Sequence, residues 1–132
     1  MAAVRGVAEI VLAVHDLERA VSFYRDVLGL RPIPAPPEVK PVFLAAGADT
    51  APIPQMLVLV PLPPDAPAFT PPRTLHHLAL ELAPEDFDAE ARRLTDLGYV
   101  LRTGRHPVLP SRTMYVDDPE GNEVELICAA PA

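Results

Sequence analysis

The feature that most restricts how this chain can fold is that it carries one plan twice. "EIVLAV" (9–14) alternates like a strand with one apolar face, placing Ile10, Leu12 and Val14 opposite Glu9, Val11 and Ala13. "HLALEL" (77–82) does the same, with Leu78, Leu80 and Leu82 opposite His77, Ala79 and Glu81. An amphipathic helix follows each strand. In the first, Asp16 is the N-cap, Leu17, Ala20, Val21, Tyr24 and Leu28 form the apolar stripe, and Gly29 ends the helix as a left-handed cap. In the second, Pro84 suits the first turn, Phe87, Ala91 and Leu94 line the stripe, and Gly98 ends it. From strand start to closing glycine, the two copies keep their spacing to within one residue, which marks an internal repeat.

Three strand candidates follow each helix, at about 29–33, 41–46 and 55–61, and again at about 99–103, 111–116 and 122–128. The plan is β-α-β-β-β, twice. The expected fold is therefore α+β: two βαβββ modules, about 5–61 and 73–129, within a single domain spanning 1–132. A four-stranded sheet with one helix has a covered face and a free one, so two such sheets side by side form a cupped mixed sheet with the helices on its outer face. The connector at 61–72, "PLPPDAPAFTPP", is half proline and cannot be a regular element. "PIPAPPEVKP" (32–41) reads as a second stiff loop.

Charge and composition narrow the function. A net charge of −7 argues against nucleic acid, whose phosphates need a basic surface. No apolar run approaches the length of a membrane span, and no signal-like segment opens the sequence. The single cysteine, Cys128, excludes an internal disulfide framework and fits a reducing compartment, so a cytoplasmic setting is expected. By strand parity it is a buried residue and not a nucleophile.

"DDPEGNEVELI" (117–127) raises the functional question. Asp118–Asn122 is a turn, and the strand after it puts Val124, Leu126 and Cys128 on one face with Glu123, Glu125 and Ile127 on the other. If the helices cover the apolar faces, Glu9, His77 and Glu125 all point to the open side. One imidazole and two carboxylates can hold and neutralise a divalent cation while leaving positions for water and substrate. Parity alone favours three ordinary polar residues on a half-wet sheet, because Glu and His at sheet edges are common.

Three stretches carry a family resemblance: "VHDLERAVSFYRDVLGL" (14–30), "LHHLALEL" (75–82) and, above all, "YVDDPEGNEVELI" (115–127). With them the chain resembles the vicinal-oxygen-chelate superfamily, which groups glyoxalase I, fosfomycin-resistance transferases, extradiol dioxygenases, methylmalonyl-CoA epimerase and bleomycin-binding proteins. The resemblance covers nearly the whole chain. It implies Glu9, His77 and Glu125 as metal ligands, Tyr115 as a ligand contact, and substrate contacts ahead of the seventh strand, where Arg105, His106 and Arg112 lie. The first ligand is usually His or Gln in the family and is Glu here. A fourth ligand, used by glyoxalases and the epimerase, has no counterpart in "QMLVLV" (55–60) unless Gln55 slips in register; Gln55 is kept as a substrate contact.

The resemblance implies a metal-dependent lyase or isomerase of glyoxalase or epimerase type, or a transferase, acting on a small oxygenated substrate with Glu125 or Glu9 as general base. The oxygen-rich ligand set leans toward Mn²⁺ or Mg²⁺, with Ni²⁺, Co²⁺ and Zn²⁺ also suited and Fe²⁺ less so. The alternatives are a metal-free small-molecule binding protein of the bleomycin-resistance kind and an extradiol-type dioxygenase, the latter disfavoured by Glu9. The resemblance also implies a homodimer in which module one of one chain pairs with module two of its partner; the alternative is a monomer whose own modules close the cup, a span within reach of the twelve-residue connector at 61–72.

Overall fold

The structure is a computed structural model of the chain and describes residues 2–47 and 53–131. The chain forms two compact units, Met1–Ala68 and Phe69–Ala132. In the first, β1 (Glu9–Val14) leads to α1 (Leu17–Val21), a π-helical segment (Ser22–Val27), β2 (Arg31–Pro32), β3 (Val42–Ala45) and β4 (Met56–Pro61). The sheet order is β1-β4-β3-β2, with β1 parallel to β4 and the other pairs antiparallel. Asp16 caps α1 as predicted, its Oδ1 accepting from Arg19 N at 3.0 Å. Leu12, Val14, Ala20, Tyr24, Leu44 and Leu59 are buried, so Leu12 and Val14 of β1 join Ala20 and Tyr24 of the helix stripe in the core, while Ile10, expected on the same face, is 40% exposed.

The helix departs from the predicted 3.6-residue winding. Leu28 N donates to Phe23 O at 2.9 Å, a bond five residues back, and the wider turn brings two consecutive aromatics inward. Phe23, absent from the predicted stripe, is 2% exposed beside the fully buried Tyr24, ring edge to ring face at 5.0 Å. Gly29 then closes the segment at φ +80°, where Leu30 N reaches back to Tyr24 O at 2.9 Å. The proline-rich connector is tied to this unit at its start. Leu62 N donates to Val14 O at 2.8 Å, and His15 Nε2 lies 2.9 Å from Pro67 O.

The second unit repeats the order: β5 (Leu78–Glu81), a 3₁₀ turn (Pro84–Asp86), α2 (Phe87–Asp96), β6 (Arg102–Gly104), β7 (Ser111–Asp117) and β8 (Glu123–Ala129). The sheet order is β5-β8-β7-β6, with β5 parallel to β8. Gly98, at φ +95°, ends α2 while Tyr99 N bonds to Leu94 O at 3.0 Å. Leu78, Phe87, Leu94, Met114, Val116, Val124, Leu126 and Cys128 make the core. Each unit is thus a four-stranded mixed sheet with one helix, the α+β, two-module architecture read from the repeat. Among the described residues no helix is long and apolar enough to cross a membrane.

Candidate active site on the second sheet

The turn before β8 fixes where Glu125 stands. Asp118 is 5% exposed, and its carboxylate organises the whole turn. Its Oδ1 accepts from Glu120 N and Asn122 N, both at 2.8 Å, and its Oδ2 from Asn122 Nδ2 at 2.9 Å. Gly121 takes the left-handed conformation, at φ +83°. Arg73 braces the turn from outside, donating to Glu120 O at 3.0 Å and to Asn122 Oδ1 at 3.3 Å. β8 therefore leaves the turn in one register, with Asp117 opposite Glu123 and Tyr115 opposite Glu125.

Directly opposed residues share a face of a sheet, so Glu125 is flanked by Tyr115 on β7 and Ala79 on β5. His77, two residues before Ala79, has the same parity and reaches the same carboxylate. His77 Nε2 lies 3.2 Å from Glu125 Oε1. Glu125 is 4% exposed, and its second oxygen, Oε2, is buried with no hydrogen-bond partner, as is the Thr113 hydroxyl on the same face. The Tyr115 ring stands edge-on to His77 at 6.0 Å. It also lies over Gly104, where an added Cβ would come within 2.8 Å of its Cε2. Glycine at the end of β6 thus makes room for the tyrosine. On its other side His77 meets His76, Nδ1 to Nδ1 at 2.8 Å.

A buried carboxylate with an oxygen unpaired is destabilising, since burying an unsatisfied polar group costs about 1–3 kcal/mol and more for a charge. The donor set also fits a cation. Two donor atoms on neighbouring positions of a metal, each bound at about 2.1 Å, sit roughly 3.0–3.4 Å apart. The measured 3.2 Å between His77 Nε2 and Glu125 Oε1 falls in that range.

The structure thus brings His77, Glu125 and Tyr115 together. Glu9 opens β1 in the first unit, opposite Met56, and is exposed. Among the described residues of either unit, no three His, Cys, Asp or Glu side chains gather closely enough to hold a metal ion. Gln55 immediately precedes β4, one residue out of Glu9's register, and its Oε1 would lie 2.7 Å from a Cβ on Gly47. No slip brings it beside Glu9.

Arg112 lies on the other face of β7. It is paired with Cys128, its guanidinium is 4.4 Å from the centre of the Phe87 ring, and it donates to Asp88 Oδ1 at 2.8 Å. That hydrogen bond, with the guanidinium charge behind it, holds the Asp88 carboxyl below its usual range. As a substrate contact on the Glu125 face, Arg112 is therefore misplaced by parity: even-numbered residues of β7 face the helix. His106 Nδ1 accepts from Val108 N and Leu109 N, so it shapes its own loop. Gly104 and Thr113 carry no sequence motif, and the sequence marks Asp118 only as the start of a turn.

The comparisons agree with this architecture. Over 96% of this chain and 92% of the other, the structure superposes on a glyoxalase/dioxygenase from Nostoc punctiforme with a TM-score of 0.74 at 24% identity. The fosfomycin resistance protein FosX from Listeria monocytogenes matches with a TM-score of 0.69 at 20% identity, covering 97% of this chain and 96% of that one. A lactoylglutathione lyase from Agrobacterium tumefaciens matches with a TM-score of 0.66 at 26% identity, covering 94% and 93%. The family profile of the Glyoxalase/Bleomycin resistance protein/Dioxygenase superfamily matches residues 6–126, nearly the full length of the chain. With two βαβββ units and that match, the chain belongs to the Glyoxalase/Bleomycin resistance protein/Dioxygenase superfamily.

Proposed function

We propose that the protein is a divalent-metal-dependent enzyme carrying out glyoxalase- or epimerase-like proton transfer next to a carbonyl of a small oxygenated substrate. The observation that carries this reading is the His77–Glu125 pair, with donor atoms 3.2 Å apart and the second carboxylate oxygen buried and unsatisfied. His77 and Glu125 are two of the ligands, and Glu9, assigned by the family resemblance, is the third. Two carboxylates neutralise the dication, and their hard oxygens suit Mn²⁺ or Mg²⁺ before softer ions.

A bound dication would supply electrostatic stabilisation of the negative charge that develops on substrate oxygens. The chain's own groups do the rest. Glu125 or Glu9 accepts the proton from the carbon beside the carbonyl and returns it to the same or the neighbouring carbon. Tyr115, beside Glu125 and against His77, orients the substrate. Water is limited at the carboxylate by burial, as Glu125 is 4% exposed.

The active species is proposed to be a homodimer in which the first unit of one chain serves the second unit of the other. A metal-free ligand-binding protein is the rival reading, favoured by the fact that His77 Nε2 and Glu125 Oε1 are also within hydrogen-bonding distance of each other. Metal analysis of variants separates the two. Replacing His77 or Glu125 by Ala should abolish stoichiometric metal while circular dichroism stays that of the parent. Undiminished metal in both variants would sink the assignment.

A further inference from the structure

The second unit has a cleft of about 710 Å³ around the open end of the β6–β7 hairpin. Phe87 of α2, the loop at 105–110, Arg112 and Ala130 line it, and Gly104 and Thr113, paired at the end of the β6–β7 ladder, border it. Phe87 and Arg112 put its wall on the helix side of the sheet, opposite the Glu125 face. The chain carries 18 acidic residues against 11 Lys and Arg, yet no aspartate or glutamate lines this cleft, while Arg105, His106 and Arg112 do. Arg112 is held by Asp88, so its charge is compensated. Arg105 is exposed and, among the described residues, makes no hydrogen bond or ion pair. Beside it Val108 is 79% exposed and Leu109 56%, an apolar wall next to a free cation.

The loop's own bonding decides which anion fits. A phosphate is ordinarily cradled by several backbone N–H groups. Here His106 Nδ1 accepts from those of Val108 and Leu109, at 3.1 and 3.0 Å, and Pro107 and Pro110 have none to give. Ala130 N donates to Pro110 O at 3.1 Å, and the Ser111 hydroxyl to Leu109 O, also at 3.1 Å. With Nδ1 an acceptor, the neutral His106 ring carries its hydrogen on Nε2. The donors left are side chains, the planar fork of Arg105 and one imidazole N–H, and they match the two oxygens of a carboxylate. We propose that this cleft binds a small organic carboxylate with an apolar body. Its carboxylate meets Arg105 and His106 Nε2, and its body lies against Val108, Leu109 and Pro110. The site is separate from the His77–Glu125 pair and does not depend on the metal reading.

The test is a ¹H–¹⁵N NMR titration of the full-length protein with hexanoate at neutral pH, with hexanol and inorganic phosphate as comparison ligands. Hexanoate should shift the amides of Arg105, His106, Val108 and Leu109 saturably, with the roughly millimolar affinity open to a ligand of its size. Arg105→Ala, at an exposed position with no partner in the fold, should weaken that binding about tenfold. Arg105→Lys should weaken it less, because an ammonium keeps the charge and loses only the fork. Hexanol should bind about tenfold more weakly than hexanoate, and phosphate should give no saturable shift in the loop. Glu125→Ala should bind hexanoate as the parent does. No saturable loop shift up to about 20 mM hexanoate overturns the proposal. So does unchanged affinity in Arg105→Ala, or phosphate binding as tight as that of hexanoate. Loss of hexanoate binding in Glu125→Ala also overturns it, since the ligand would then sit on the Glu125 face.

Discussion

Asp118 is the residue whose loss should do most damage for the fewest atoms changed. Its carboxylate accepts from two backbone N–H groups and one side-chain amide, all between 2.8 and 2.9 Å, in a site where it is itself 5% exposed. Asp118→Ala removes every one of these acceptors and leaves the donors of Glu120 and Asn122 without them. At about 1–3 kcal/mol for each buried donor left unpaired, and with the turn partly open to water, the loss should be roughly 3–5 kcal/mol. That is a large share of the ~5–15 kcal/mol that holds a typical domain.

Asp118→Asn is the informative control. It keeps one oxygen for the backbone N–H groups but sets an NH₂ against Asn122 Nδ2. Asn122 cannot simply turn over, because its Oδ1 already accepts from Arg73 Nη1. The cost should be intermediate, about 1–2 kcal/mol. Urea unfolding followed by circular dichroism reads both. With a slope near 2 kcal/mol per M, the midpoint should fall by roughly 1.5–2.5 M for Ala and about 0.5–1 M for Asn. A midpoint for Asp118→Ala within about 0.25 M of the parent, with an unchanged slope, would refute the claim that this carboxylate organises the turn.

Other expectations follow from the same geometry. In metal-free protein, Glu125→Gln should leave stability unchanged or raise it by up to about 2 kcal/mol, because it replaces a buried charge with one unpaired oxygen; a loss above about 1 kcal/mol would make the carboxylate structural. Asp88, held below its ordinary value first by its hydrogen bond from Arg112, contributes stability that is fully present above the usual carboxylate range and is lost as pH falls through and below it. The gap between parent and Asp88→Asn in urea midpoint should therefore close on acidification from about pH 6 to pH 2; a gap independent of pH would contradict the assignment. If the proposed module-swapped dimer is the active species, mixing Glu9→Ala with Glu125→Ala under subunit exchange should restore part of the metal binding, since up to about half of such dimers would be mixed and each would have one intact site. No recovery at any ratio would show that each chain carries its own complete site.

Much of this was legible in the residues because the relevant signals are local. Leu12 and Val14 alternate because a strand alternates, and Gly29 and Gly98 end helices because a positive φ suits glycine. Parity put Glu9, His77 and Glu125 on open sheet faces; the structure brings His77 and Glu125 together on one sheet, and the register of β7 against β8 adds Tyr115, which only the resemblance had marked. What escaped depended on a departure from regular winding or on neighbours far along the chain. Phe23 is buried only because one turn widens to a five-residue bond, which a 3.6-residue pattern does not anticipate. Arg112 looks like a free cation in sequence, yet Phe87 and Asp88 of α2 claim it. His76 carries no sequence motif, and its ring contact with His77, Nδ1 to Nδ1 at 2.8 Å, depends on side-chain packing that strand parity does not describe.

The central claim is that His77 and Glu125 belong to a metal centre, and the most direct measurement is the metal content of the parent protein. Expressed and purified without affinity tag or chelator, then analysed for Mn, Mg, Fe, Co, Ni and Zn against protein concentration, it should carry about one divalent ion per chain after saturation and desalting. Retention of that ion through desalting, and its absence from His77→Ala and Glu125→Ala, is the predicted result. A parent protein that holds no stoichiometric divalent metal under any of these loadings would contradict the account and leave the sheet face as a metal-free binding surface.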